Sequence, residues 1–127
     1  MVLMPPKPDA AQPEFWQTDA GAGSVAVLNV PGLLSRARVF DVDVTLVVDV
    51  PSEGARVEPW HELAVEFDGR REWSRRIGSH NPGLTDGLDY HQRVRLEPGQ
   101  ALRVRATAKV KGSRIRQLLI EAREEFE

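Results

Sequence analysis

The chain has 127 residues, a net charge of −2 at pH 7, an apolar fraction of 41% and no cysteine. This length fits one domain that can bury a core without metal or disulfide support, and the missing thiols exclude disulfides, thiolate metal sites and cysteine nucleophiles. No apolar run approaches a membrane span and Met-Val-Leu-Met-Pro-Pro-Lys-Pro lacks the ordered regions of a signal peptide, so a cytoplasmic protein with no membrane contact is the expectation.

Residues 1–20 read as an extended arm, because Pro5, Pro6, Pro8 and Pro13 forbid regular structure. Within it, Phe15-Trp16 is an aromatic pair expected to dock onto the chain's own body. Residues 21–127 read as one β domain. Gly21-Ala22-Gly23 is a flexible joint and no dinucleotide fingerprint, since no strand precedes it and no third glycine follows at the right spacing. Ser24 to Val30 is a short strand ended by Pro31-Gly32. Arg38 to Val50 alternates clearly, with Phe40, Val42, Val44, Leu46, Val48 and Val50 on one face. Asp41, Asp43 and Asp49 share the other face. Alternate strand positions rarely converge on one ion, so these aspartates are expected to neutralise neighbouring arginine strands rather than hold a metal.

Pro51 to Pro59 is a loop and Trp60 to Asp68 a strand. Asp68-Gly69 then signals a two-residue hairpin turn. That register sets Glu66 against Arg71 favourably but Val65 against Glu72 unfavourably; a three-residue loop would set Val65 against Trp73. Gly78 to Asp89 is the longest irregular stretch of the body, gathering Ser79, His80, Asn81, Asp86 and Asp89, with Tyr90 and His91 at its exit. It is read first as a turn-forming surface loop and second as a binding loop. A histidine base at His80 or His91 beside Ser79 is a further alternative, but Ser79 lacks the glycine-flanked elbow of a hydrolase. His61, His80 and His91 carry no metal-motif spacing. No catalytic residue, metal ligand or cofactor is therefore assigned.

Tyr90 to Lys111 holds two alternating runs around Pro98-Gly99. Tyr90, Gln92, Val94 and Leu96 share a face, as do Leu102, Val104, Ala106, Ala108 and Val110. As a hairpin the runs would set Val94 across from Val104, with Arg95 opposite Arg103 and Arg93 opposite Arg105 on the other face; in opposite sheets of a sandwich they would split that cluster. Opposed like charges destabilise a sheet by up to about 1 kcal/mol per pair, so such a cluster demands anions. Residues 69–116 hold twelve Lys and Arg against four acids, whereas residues 1–63 hold four against nine, which points to an internal match or an acidic partner. Gly112-Ser113 suits a tight turn that pairs Val110 with Ile115. Beyond it, a strand through about Ala122, with a bulge near Gln117-Leu118 and a frayed acidic tail, is preferred over a short C-terminal helix.

These segments make about seven strands, the pattern of an all-β, two-sheet antiparallel sandwich, Ig-like or jelly-roll. The leading functional expectation is a non-catalytic interaction module. Its Arg93, Arg95, Arg103 and Arg105 face, with the 78–91 loop, would contact an acidic protein surface or a polyanion; homo-oligomers are compatible with it. The polyanion reading is weakened by the want of interleaved exposed aromatics, which single-strand binders use for stacking, and sequence-specific nucleic-acid binding is not expected. The alternatives are a carbohydrate-like small-ligand sandwich using Trp60, Trp73 and Tyr90, and a hydrolase or metal-dependent enzyme centred on the 78–91 loop.

Overall fold

The computed structural model describes residues 12–52 and 58–126; the start of the arm, the centre of the Pro51–Pro59 loop and the last residue lie outside the described residues. Strands form wherever apolar and polar residues alternate: β1 (Phe15–Asp19), β2 (Val25–Val30), β3 (Arg38–Asp49), β4 (Trp60–Phe67), β5 (Arg70–Gly78), β6 (Thr85–Leu96), β7 (Leu102–Lys111) and β8 (Arg114–Glu125). They build two antiparallel sheets of four, ordered β1-β8-β3-β6 (sheet A) and β2-β7-β4-β5 (sheet B). The chain is thus one antiparallel ribbon, β1 with β8, β2 with β7, β3 with β6 and β4 with β5, wrapped on itself. This is the jelly-roll form of the sandwich. The strand count is eight rather than about seven, and the addition is β1: its Phe15 to Asp19 pair with Arg123 to Leu119 of β8.

Alternation decides what the sheets enclose. Phe40, Val42, Val44, Leu46 and Val48 of β3, Leu63 and Val65 of β4, Val104 and Ala106 of β7, and Leu118, Ile120 and Ala122 of β8 are all at most 1% exposed. Side chains from the two inner faces meet in a layer about 10 Å thick.

The β4–β5 hairpin reconciles both registers considered for it. Asp68 (φ 52°) and Gly69 (φ 81°) form the two-residue turn with both residues left-handed, which keeps Glu66 opposite Arg71. A bulge then takes up Glu72 and puts Val65 opposite Trp73. A second bulge lies in β8, where Arg116 is the extra residue between Val48↔Ile115 and Val47↔Gln117. It falls beside the expected break in alternation, and the C-terminal helix does not form. The strand runs to Glu125 rather than fraying after Ala122, because β8 lies between β1 and β3 and is paired on both edges.

Two expected hairpins are absent. Val94 partners Phe40 and Leu96 partners Arg38 in sheet A, while Leu102 and Val104 partner Val30 and Leu28 in sheet B. The turn around Pro98-Gly99 therefore crosses between sheets. So does Gly112-Ser113, since Ile115 partners Val48 and not Val110. The inner faces of each pair of runs point into the core from opposite sheets instead of lying side by side.

Candidate functional site

Splitting those runs divides the four arginines. Arg93 and Arg95 lie on the outer face of sheet A, and Arg103 and Arg105 on the outer face of sheet B. The single arginine cluster expected from a hairpin does not exist. On sheet A the β3 aspartates do face the basic residues of β6. Asp41 stands opposite Arg93 and Asp43 opposite His91. His91 Nδ1 lies 2.8 Å from Asp43 Oδ1 and Nε2 lies 3.4 Å from Asp41 Oδ1. Arg93 Nε reaches Glu125 at 3.2 Å and Arg95 Nε reaches Glu97 at 2.8 Å.

The hydrogen bond to Asp43, reinforced by both aspartate charges, outweighs burial and raises the His91 pKa above 6.5. A raised pKa means the stabilisation is fully present below the ordinary imidazole value and is lost as pH rises through the raised one. An NMR titration is expected to give His91 a midpoint above 6.5, and Asp43→Asn should move it down. An unmoved midpoint would show that the aspartates do not hold the ring.

Sheet B presents a different surface. Arg103, Arg105, Lys109 and Lys111 are exposed in one row along β7. Among the described residues none of the four has a carboxylate within ion-pair distance. Next to them β4 offers Glu62, Ala64 and Glu66, opposite Lys109, Thr107 and Arg105. Beyond these, β5 adds Arg71 and Arg76. Glu62 is already held by Arg76 Nε at 3.1 Å, so the face keeps a strong positive excess.

The 78–91 set also divides. Only residues 79–84 are irregular, because Thr85 to His91 belong to β6. Asn81 takes a left-handed φ of 62° and its side chain donates to the Thr85 carbonyl at 3.1 Å. Burial pushes the Asp86 carboxyl up, but the backbone N–H groups of His80 and Gly87 donate to it at 2.8 Å each and hold it below its usual range. Asp89 faces outward opposite Thr45, and Tyr90 faces inward opposite Val44.

Ser79 meets neither His80 nor His91. It meets His61, which is fully buried on β4. His61 Nε2 lies 3.1 Å from the Gly87 carbonyl, an acceptor only, so that nitrogen carries the proton. Nδ1 then accepts from the Ser79 hydroxyl at 2.8 Å, and Ser113 donates to Ser79 at 2.6 Å. Gly87 permits the close approach of β6 to β3, since a Cβ there would lie 2.4 Å from the Leu46 carbonyl. This chain ties sheet B to sheet A through the core. The pairing of Ser79 with His80 or His91 considered from the sequence is therefore not formed; Ser79, 9% exposed, donates to His61 instead. Among the described residues no group of three or more His, Asp or Glu is placed to hold a metal.

The aromatic rings are largely in structural use. Trp73 stacks on Tyr90 at 5.1 Å and Phe67 meets Tyr90 edge-on at 6.4 Å, closing the sandwich along the β5/β6 side. Burial and the Glu72 charge raise the Tyr90 phenol pKa. The Arg76 guanidinium covers one face of Trp60 at 3.8 Å. A cleft of about 300 Å³ opens on the same side over Phe67, Leu96 and Leu102, rimmed by Arg70, Glu72 and Gln100.

A second polar cluster closes one end of the sandwich, and no motif marks it. Arg38 is 3% and Glu124 4% exposed. Arg38 donates to Glu14 at 2.8 Å and to the Pro31 carbonyl at 2.7 Å. Glu124 pairs with Arg36 and accepts the Glu14 N–H at 3.0 Å. The signal for both clusters is phase: His61, Arg38 and Glu124 each stand in register with buried apolar residues of their own strand.

No protein family matches the sequence, and no curated protein matches it in sequence. Solved structures are similar in fold. Dimeric latent PorU from Porphyromonas gingivalis superposes with a TM-score of 0.51 and 12% identity over 87% of this chain, which spans 11% of that protein's length. The mosquito-larvicidal Cry4Aa toxin of Bacillus thuringiensis gives 0.49 and 8% over 84% of this chain and 19% of the toxin. The CBM36-1 domain of a multidomain xylanase from the hindgut metagenome of Trinervitermes trinervoides gives 0.36 and 9% over 86% of this chain and 96% of that domain. At 12% identity the likeness to the first of these concerns the fold, and fold alone assigns no function. Among the described residues no helix is long and apolar enough to cross a membrane.

Proposed function

We propose that the chain is a binding sandwich whose outer sheet-B face holds an anionic partner, an acidic protein surface or a polyanion. One observation carries this: Arg103, Arg105, Lys109 and Lys111 stand exposed in one row with no ion pair among the described residues. On the opposite outer face each of the basic side chains described above meets an acid. Row neighbours two positions apart lie about 6.8 Å from one another, and the flat sheet leaves their charges open to a partner. Arg93 and Arg95, on the other side of the molecule, take no part.

The test is binding to a heparin fragment and to poly-glutamate, with the wild type and with Arg103→Gln/Arg105→Gln/Lys109→Gln. If a polyanion engages four cations, affinity should fall roughly hundredfold between about 50 and 200 mM salt, and the triple variant should flatten that dependence. Equal binding by wild type and variant, or none by either, would end the proposal. A second reading, a small-ligand site for a sugar-like molecule, draws on the cleft over Phe67, Leu96 and Leu102 beside the Trp73–Tyr90 stack. Oligosaccharides in the same experiment check it, with Arg70→Ala as the variant that should lose binding.

A further inference from the structure

The four edge strands are not protected alike. β5 carries Arg70, Arg71, Arg75 and Arg76 and a bulge, and β6 carries Arg93 and Arg95. β1 is only five residues long and ends in Asp19. Charges, bulges and shortness are the devices by which sheets refuse further strands. β2, Val-Ala-Val-Leu-Asn-Val, has no charge, no proline and no bulge, and Val25 on it is 43% exposed.

The ladder identifies which groups face outward. Ala108 N–H donates to the Ser24 carbonyl at 2.8 Å, so Ser24, Ala26, Leu28 and Val30 exchange bonds with β7. Antiparallel alternation then turns the N–H and C=O groups of Val25, Val27 and Asn29 to the free edge. Of these, the Val27 carbonyl accepts the Thr18 hydroxyl at 3.0 Å from β1, one layer away, and keeps its second lone pair.

We infer that β2 pairs with β2 of a second copy, antiparallel about a two-fold axis through Val27. The outward groups are self-complementary about that residue: Val27 faces its own equivalent and Val25 faces Asn29, two bonds per pair. A second copy fits better than a foreign strand because the edge carries no charge that would select one. The seam also brings no cations together. The two β7 rows end three strand spacings apart, about 14 Å, beyond the screening length of about 8 Å at physiological salt. The product is an eight-stranded sheet with both basic rows on one surface. That doubled surface rests on the function proposed above; the dimer itself does not.

Sedimentation equilibrium from micromolar to near-millimolar protein decides it. The wild type should be a dimer that dissociates on dilution, with a melting temperature that rises with concentration. Val27→Lys sets two ammonium groups face to face and should weaken the dimer at least several-fold. Val27→Pro deletes only the outward N–H and leaves the β7 ladder whole, so it should be a folded monomer. Should Val27→Pro not fold, Val27→Lys decides alone. A wild type monomeric at the highest concentration, or a dimer indifferent to Val27→Lys, overturns the inference, and the first result would leave the edge to a partner's strand. Binding to heparin by the Val27→Pro monomer, at reduced avidity, would keep the charged face while the dimer question is settled separately; Val27→Lys is not used for this arm because it adds a cation opposite Arg105.

Discussion

His61→Leu is expected to cost the domain about 2–4 kcal/mol, although leucine nearly matches histidine in volume and fills the same space. The loss would come from the partners left behind. The Gly87 carbonyl and the Ser79 hydroxyl are satisfied by the two ring nitrogens, and each buried polar group stripped of its partner costs about 1–3 kcal/mol. Ser79 can recover part of this through Ser113, 2.6 Å away, which keeps the estimate below the sum. Urea unfolding at constant slope measures it. A cycle with Ser79→Ala adds a sharper reading: histidine and serine should couple by about 0.5–3 kcal/mol. A loss under 1 kcal/mol with no coupling would mean that the polar chain across the sheets contributes little.

How far the sequence revealed this architecture follows from the jelly roll itself. Period-two alternation locates the inward faces of the strands and the bulged region of β8, because burial on one face is written residue by residue; the β5 bulge shows only as two competing registers. Pairing is written only where a short turn joins partners, and in this topology that happens once, at Asp68-Gly69. Every other consecutive pair of strands changes sheets. Pro98-Gly99 and Gly112-Ser113 resemble hairpin turns, yet the alternation on either side satisfies a crossing equally well: Val94 and Val104 point into one core from opposite walls. Local chemistry cannot separate these cases, since what differs is the partner from elsewhere in the chain, Phe40 for one and Leu28 for the other.

The site was legible in the same proportion. That basic residues would face the aspartates of β3 could be read from alternation; in sheet A Asp41 stands opposite Arg93 and Asp49 meets Arg116, while Asp43 holds His91 and the acids within reach of Arg93 and Arg95 include Glu125 and Glu97. Which arginines stay without a described carboxylate depended on the sheet each strand joined, so Arg103 and Arg105 parted from Arg93 and Arg95. His80 and His91 read as candidate bases and His61 only as a candidate metal ligand, because the spacing of the histidines along the sequence does not show that His61 sits in phase with a core face. Its phase with Leu63, Val65 and Phe67 was the available signal, as Arg38's was with Phe40 and Val42 and Glu124's with Ile120 and Ala122. A charged residue in step with a core face is either a packing error or a buried network, and a folded domain tolerates only the second.

Glu124→Gln tests that network, with an expected loss of about 2–4 kcal/mol at neutral pH. The isostere keeps an oxygen for the Glu14 N–H but gives up the charge that Arg36 requires. Arg36 is a third exposed and can rehydrate, so the loss should fall short of that for a fully buried ion. The Arg36 hydrogen bond outweighs burial and, with the Glu14 N–H, holds the Glu124 carboxyl below its ordinary value of 4.5. A depressed pKa contributes stability that is present above the ordinary value and lost as pH falls through the lower folded-state one. The gap between wild type and Glu124→Gln should therefore be widest at neutral pH and close on acidification below about 4.5. Urea midpoints for both proteins across that range measure it, and a gap that persists in acid would place the interaction in packing rather than charge.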